Sequence, residues 1–193
     1  MEDIFALILI NVLVWIALQI HPAYVNNLAL VPVDVWTHPW FLLTSMFTHQ
    51  DFFHILFNMW TLYFFGSAVH QLLGVRRFWI IYVAGGLMGG VLYVALAYAG
   101  NALHFGFLGD IYSGAIGASG AIFALGGALA VLRPQMRVMI FPIPAPMPLW
   151  IAIVGSFLVL TFIPGVAWTA HLGGILTGAA AGWYWRRGRY YGD

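Results

Sequence analysis

A series of apolar segments, most of them about as long as a membrane-spanning helix, constrains the fold of this chain more than any other feature. Of its 193 residues, 63% are hydrophobic and only 7% are charged, whereas soluble domains carry about 25% charged residues. Six apolar segments run over residues 4–20, 51–70, 78–99, 119–132, 149–163 and 168–185, and a membrane helix needs about 20 residues. We therefore predict an all-α integral membrane protein, a six-transmembrane-helix bundle in which residues 1–193 form a single domain.

The first loop, residues 21–48, is long and rich in proline and aromatic residues, including Tyr24, Trp36, Trp40 and Phe41. Long irregular loops are uncommon in compact domains and tend to be functional, and aromatic side chains favour the membrane interface. We expect this loop to lie in that interface. The connection 133–148 contains five prolines, so we do not expect it to form one continuous helix.

Positive charge is confined to three places in the sequence. The chain has no lysine, and its seven arginines are Arg76 and Arg77, Arg133 and Arg137, and Arg186, Arg187 and Arg189. By the positive-inside rule these clusters face the cytoplasm, which predicts cytoplasmic termini and a multi-pass protein of the plasma (cell) membrane. Because apolar segments flank the clusters, we do not expect them to bind nucleic acid. The absence of cysteine excludes a thiol nucleophile.

The fourth apolar segment is too short to cross a bilayer. A helix from Ser119 to Arg133 rises about 21 Å, against about 30 Å for the hydrocarbon core. If Arg133 lies at one membrane face, the Ser119 hydroxyl begins a helix inside the membrane. Irregular backbone at that depth is tolerated only when it is buried in protein or lines a water-filled cavity. Serine is also an ordinary helix N-cap, but this depth points to an active site.

Polar residues in two other segments are expected at a similar depth. His54 and Asn58 are four residues apart and share one face of the second segment, and His171 lies near the start of the sixth. Helical rise places His171 about 22 Å above the last arginine cluster and His54 about 24 Å above His70. Both values agree with the depth of Ser119.

Small residues offer a way to bring Ser119 and His171 into contact. Gly174 and Gly178 follow His171 on one helix face, and Gly120 lies among small residues in the fourth segment. Small residues four apart allow membrane helices to approach closely. Contact between these faces would pair a serine nucleophile with a histidine base.

A catalytic triad is not expected, because no buried carboxylate is available to orient the histidine: Asp34, Asp51 and Asp110 lie in loops or at the edge of a segment. The sequence predicts a dyad instead, with His54 and Asn58 donating hydrogen bonds to a developing oxyanion. Each feature also has a structural explanation: a helix cap, an interfacial histidine, or an interhelical hydrogen-bond pair. Their common depth favours a shared site. His49 lies at the edge of the second segment, where a loop or supporting role is as consistent as a direct one.

These residues together resemble the rhomboid family of intramembrane serine proteases over nearly the whole chain. The resemblance is carried by His49-x4-His54-x3-Asn58, by Gly117-Ala118-Ser119-Gly120, and by His171-x2-Gly174-x3-Gly178. It implies a six-helix bundle with cytoplasmic termini. It also implies that the first loop is similar to the membrane-embedded hairpin of that family, and that the fifth segment forms the substrate gate.

The resemblance further implies a role for each site residue. Ser119 would be the nucleophile and His171 the base, while His54, Asn58 and the Ser119 backbone amide would bind the oxyanion and His49 would support the site. The substrates would be transmembrane proteins, cleaved within the lipid bilayer at a site open to the extracytoplasmic side. No metal and no cofactor are expected.

Two positions depart from the family pattern. The first loop has Trp40-Phe41 where Trp-Arg is frequent, and Phe123 stands where a tyrosine often stacks on the catalytic histidine; a phenylalanine ring can stack there as well. Two other functions remain open on sequence alone. One is a small permease or transporter of protons or metal ions that uses the histidines, and the other is a non-catalytic rhomboid-like protein that binds membrane proteins.

Overall fold

The computed structural model describes residues 1–140 and 143–190, so Phe141 and Pro142 of the proline-rich connection lie outside it. Helices dominate the described chain. They are α1 (Glu2–Ile20), α2 (Phe41–Thr44), α3 (Phe52–Leu73), α4 (Val75–Leu103), α5 (Ser119–Leu132), α6 (Leu149–Thr161) and α7 (Trp168–Tyr190). Short 3-10 turns lie at Pro22–Asn27, Pro32–Asp34, Ser45–Phe47 and Gly106–Leu108.

Three of the described helices are long and apolar enough to cross a membrane, namely α1, α3 and α4. Helices α5 and α6 are apolar but have only 14 and 13 residues. Helix α7 has 23 residues, but its arginines together with histidine, threonine and glycine make it less apolar than the other long helices. The structure is thus that of a mostly helical membrane protein with three candidate spans.

Helix α5 forms the centre of the core. Its residues from Gly120 to Leu129 are all buried, and α3, α4, α6 and α7 all pack against it. A helix that is apolar on all sides suits the core of a protein or the interior of a membrane. The boundaries of α5 are the predicted ones, whereas α4 extends beyond the predicted segment 78–99 at both ends.

The proline-rich connection forms a β-hairpin that the sequence did not predict. Strand β1 (Arg137–Ile140) pairs antiparallel with β2 (Ile143–Pro148), with Arg137 opposite Pro148. In a two-stranded sheet both strands are edges, where the missing N–H groups of prolines are tolerated. The hairpin joins α5 to α6 at the end of the bundle that carries the arginines.

The first loop is fastened to the segment that precedes α5. Leu30 and Ala115 exchange two backbone hydrogen bonds of 3.0 and 2.9 Å, and the Gly117 N–H donates to the Ser45 carbonyl at 2.8 Å. Trp36 and Trp40 remain exposed, as expected of a loop in the membrane interface. Phe41 is buried and its ring stacks on His38, with 4.9 Å between centroids.

Asn11, the polar residue of the first segment, lies in the core and is fully buried. Its amide N–H donates to the Leu7 carbonyl of its own helix at 2.8 Å.

Candidate active site

Ser119 is the first residue of α5, and Ala118 is the N-cap. The hydroxyl therefore does not serve as the helix cap. Ser119 Oγ lies 2.8 Å from His171 Nε2, within the range of an O–H···N hydrogen bond. Ser119 is half-buried, while His171 is only 5% exposed. The structure thus brings together the two side chains that the sequence assigned to different helices.

Glycines allow α7 to approach α5 closely enough for this contact. A Cβ atom at Gly174 would collide with the Gly120 carbonyl, and one at Gly178 would collide with the Ala124 carbonyl. The obstacle in both cases is backbone, which cannot rotate away as a side chain can. The small residues of both helices therefore set the separation at which Ser119 and His171 meet.

Phe123 lies one turn after Ser119 and packs against the imidazole of His171. Their ring centroids are 4.6 Å apart and the planes are tilted by 32°. The aromatic ring restricts the orientation of the imidazole and keeps Nε2 directed at Ser119. The position that departs from the family pattern thus still provides an aromatic contact.

His54 lies in the first turn of α3, with Nε2 directed towards the start of α5. Asp51 caps this helix by accepting a hydrogen bond from the His54 N–H at 2.9 Å. The Gln50 N–H points at His54 Nδ1 at 3.4 Å. An imidazole that accepts at Nδ1 carries its proton on Nε2 when neutral, so the arrangement favours a donor directed into the site.

Gly117 explains why His54 can come so close. Its φ angle is +119°, and a Cβ at this position would lie 2.7 Å from His54 Nε2 and 3.7 Å from Ser119 Oγ. Both the backbone conformation and the space therefore require glycine. The turn at Gly117 lets the His54 ring reach the backbone next to Ser119.

Asn58 is buried one turn below His54. Its Nδ2 donates to the His54 carbonyl at 2.8 Å, which fixes the amide with its nitrogen towards α3. One amide hydrogen is used within the helix, and the second remains for another acceptor. The structure therefore gives Asn58 a role in holding the start of α3 that the sequence did not indicate.

His49 precedes α3 and is 1% exposed. Its Nε2 faces the Ala118 N–H at 3.4 Å, and its ring centroid lies 5.0 Å from that of His54. Burial and the nearby His54 lower the pKa of His49 to about 3. Neutral His49 thus keeps a lone pair for the backbone of the residue before Ser119, which supports the turn into α5.

Several contributions to the site come from backbone atoms and have no sequence signature. The Ser45 carbonyl and the Gln50 N–H belong to this group. A cavity of about 30 Å³ adjoins Ser119 and is also lined by Ser45, Gly117 and Ala170. A volume of this size accommodates a water molecule.

Comparison with known proteins identifies the family. The family model of the Rhomboid domain matches residues 37–188, which include every residue of the site described above. The chain belongs to the rhomboid family. The resemblance drawn from the sequence motifs is therefore confirmed.

Relatives in the family are similar over most of this chain. Rhomboid protein 1, mitochondrial, of Saccharomyces cerevisiae is 29% identical over 94% of this chain and 52% of its own length. RHOMBOID-like protein 12, mitochondrial, of Arabidopsis thaliana is 35% identical over 77% of this chain and 47% of its own length. Rhomboid-related protein 4 of Homo sapiens is 33% identical over 71% of this chain and 43% of its own length. The chain spans about half the length of these relatives.

The prediction of a plasma-membrane location is wrong. The yeast protein and two Arabidopsis relatives are named as mitochondrial proteins, and so is a relative in mouse. The positive-inside rule relates charge to one side of a membrane but does not identify which membrane it is. The cytoplasmic assignment of the termini depended on the plasma membrane and is withdrawn with it.

Proposed function

We propose that this rhomboid is an intramembrane serine endopeptidase. The observation that carries the proposal is the 2.8 Å separation of Ser119 Oγ and His171 Nε2 at the start of a helix in the centre of the core. In this proposal residues 1–193 form one membrane domain. Helices α1, α3, α4, α5, α6 and α7 provide six membrane segments, although α5 and α6 are short.

Ser119 Oγ attacks the carbonyl carbon of the scissile peptide bond, and its proton passes to His171 Nε2. The C–N bond then breaks and the amine leaves with the proton from His171. An acyl-enzyme remains on Ser119. A water molecule, activated by His171, hydrolyses the ester and releases the second product.

The tetrahedral intermediate requires donors for its negative oxygen. The Ser119 N–H lies in the first turn of α5, where backbone N–H groups have no intrahelical partner and the helix dipole favours negative charge. The proton on His54 Nε2 is directed at the same region, and the second amide hydrogen of Asn58 supplies a further donor. His49 acts as a positioning residue through the Ala118 backbone. No metal or cofactor takes part.

The substrate is the transmembrane segment of another membrane protein, which enters from the lipid bilayer past α6. None of the buried residues of α6 lies in its second half, which supports this route. The names of several relatives favour a mitochondrial membrane as the location. Hydrolysis at this depth requires water, and the cavity beside Ser119 has room for it.

Cleavage of a model transmembrane substrate tests the proposal. The purified chain in detergent or proteoliposomes is compared with Ser119→Ala and with the matched variant Ser113→Ala, which removes an exposed hydroxyl. Wild type and Ser113→Ala are expected to cleave the substrate, and Ser119→Ala is not. Equal cleavage by Ser119→Ala would reject Ser119 as the nucleophile.

A fluorophosphonate probe separates the protease from a non-catalytic rhomboid-like binder. An activated serine attacks the phosphorus and becomes labelled, and peptide mapping then identifies the modified residue. We expect labelling at Ser119 that is lost in His171→Ala. A folded wild-type protein that resists labelling and cleaves no substrate would favour the binder.

A further inference from the structure

A cavity of about 590 Å³ lies at the opposite end of the bundle from Ser119, between α3, α5 and the turn that leaves α5. Its volume is within the range of small-molecule sites. Its walls include Ala68 and Leu72 of α3 and Leu132 of α5, and its outer rim includes Gln71, Arg133 and Gln135. We propose that this cavity binds an anionic glycerophospholipid, with the phosphate on Arg133 and an acyl chain along the apolar wall.

The order of the lining residues along the helices matches the polarity of a lipid. Helix α3 has 22 residues, or about 33 Å, and therefore spans the hydrocarbon core and ends near the headgroups. Ala68 lies deeper in the membrane than Gln71, and Leu132 directly precedes Arg133 at the end of α5. The cavity is thus apolar towards the bilayer centre and polar at the level of the lipid phosphates.

The charge of the rim also fits a phosphate. Within the described ranges, no carboxylate lies within ion-pair distance of Arg133, and the one ion pair found there joins Asp3 to His70. Arg77 lies over the Trp185 ring, and Arg186 approaches the Val131 carbonyl at 3.5 Å. Arg133 is the arginine that lines the cavity, and a guanidinium binds phosphate oxygens in pairs.

The turn that carries Arg133 is held in place by its own backbone. The Met136 N–H donates to the Arg133 carbonyl at 2.9 Å, and the Leu149 N–H at the start of α6 donates to the Met136 carbonyl at 2.8 Å. Pro134 restricts the second position of the turn. The backbone that carries the cationic side chain is therefore preorganised.

The carbonyl ends of α3 and α5 meet at this level and disfavour an anion through their helix dipoles. The full charge of Arg133 must outweigh this effect. Loss of that charge should consequently weaken lipid binding more than loss of an arginine elsewhere. Basic pockets between membrane helices are known to suit anionic headgroups.

Native mass spectrometry of the delipidated full chain in neutral detergent tests the proposal, with dioleoylphosphatidylglycerol and dioleoylphosphatidylcholine as probes. We expect the anionic lipid to bind in preference. Arg133→Gln should weaken its binding about fivefold, as expected for one basic residue at an anionic surface. The matched variant Arg76→Gln removes the same charge outside the cavity and should bind as wild type does. An equal loss of anionic-lipid binding in Arg133→Gln and Arg76→Gln would overturn the proposal, because it would indicate a general effect of charge.

Two further arms distinguish a lipid from free phosphate. Ala68→Phe fills the apolar wall and should reduce lipid binding while Arg133 is intact. Excess inorganic phosphate should compete poorly, because it lacks the acyl chain. Unchanged binding by Ala68→Phe, or complete displacement by inorganic phosphate, would show that the cavity does not recognise a lipid. Circular dichroism verifies that each variant is folded, and none of these readouts depends on proteolysis.

Discussion

Helices α5 and α6 are nearly equal in length and both are apolar, but they are held very differently. Ten consecutive residues of α5 are buried, whereas the buried residues of α6 are Leu149, Ala152 and Ile153, all in its first five positions. The start of α5 carries Ser119, and the end of α6 lies on the same side of the bundle. A fixed helix thus holds the proposed nucleophile, beside a helix that is buried, and so firmly anchored, at only one end.

The reason for the difference is the residue type at each interface. Gly174 and Gly178 bring the backbone of α7 against that of α5, so the two helices cannot separate without losing many close contacts. The second half of α6 presents larger apolar side chains, of which Val159 is 65% and Leu158 is 52% exposed. These side chains lie on the surface of the bundle. In the proposed protease, precision at the Ser–His pair and access for a substrate would therefore depend on different helices.

The largest effect is expected from one added methyl group between α5 and α7, because it disturbs the close packing of these two helices. In Gly178→Ala the new Cβ meets the Ala124 carbonyl, and we expect a loss of about 1–3 kcal/mol of stability from overpacking. Displacement of His171 by about 1 Å should lower kcat about 100-fold. Thermal unfolding in micelles and the cleavage rate measure both effects.

Gly155→Ala on α6 is the matched control for this prediction. A Cβ at Gly155 meets nothing within 4 Å, so stability should be unchanged or slightly higher because alanine favours the helix. An equal loss of stability and cleavage rate in Gly178→Ala and Gly155→Ala would contradict the conclusion that α5 is packed more tightly than α6.

The turn before α5 is the next most sensitive place. Gly117→Ala forces a side chain into positive φ, which costs about 1–3 kcal/mol, and directs a methyl group at His54 Nε2. We expect a kcat decrease of at least about tenfold, the equivalent of about 1.4 kcal/mol in the barrier.

Gly114→Ala lies three residues away and should be tolerated, because its Cβ would make ordinary contacts of 3.6 Å with Ala29 and Val31. Both variants are assayed for cleavage of the same transmembrane substrate. Normal activity in Gly117→Ala would show that the approach of His54 does not matter for catalysis.

A smaller effect is expected at the start of α3. Asp51→Ala removes the cap on the His54 N–H and should lower stability by about 1 kcal/mol. The freed first turn should lower kcat a few-fold and leave KM unchanged, since Asp51 positions His54 and does not touch substrate. Asp51→Asn keeps an acceptor oxygen and should restore both values. Failure of this rescue would mean that the charge, and not the cap, is what matters.

The sequence predicted the contact between Ser119 and His171 better than it predicted the backbone structure that surrounds them. Polar residues in apolar helices are conspicuous, and the glycine spacing of α7 indicated which face meets α5. The Gln50 N–H and the Ser45 carbonyl could not be predicted, because backbone groups are present at every residue and only the folded loop selects them. The β-hairpin was missed because its prolines normally argue against strands. The membrane was misassigned because arginine distribution carries information on orientation only.

The smallest expected effect concerns the link between α6 and the fixed part of the site. Trp168, three residues before His171, donates from Nε1 to the Phe107 carbonyl at 3.1 Å, and its ring lies 5.1 Å from Phe107 and 6.3 Å from Phe157 of α6. Trp168→Phe removes the hydrogen bond to Phe107 and leaves a smaller ring against Phe157 of α6. If α6 moves to admit the substrate, looser attachment should raise the cleavage rate of a transmembrane substrate by a small factor.

We expect a small soluble ester to reach Ser119 from the aqueous side without passing α6, so its hydrolysis should not change in Trp168→Phe. Trp150→Phe at the anchored end of α6 replaces a half-exposed tryptophan and should leave both rates unaltered. A fall in both rates for Trp168→Phe would instead indicate that His171 has moved, because only the shared catalytic pair acts on both substrates. The two substrates thus separate access along α6 from the chemistry at the start of α5, and a rate increase confined to the transmembrane substrate would assign the gate to α6.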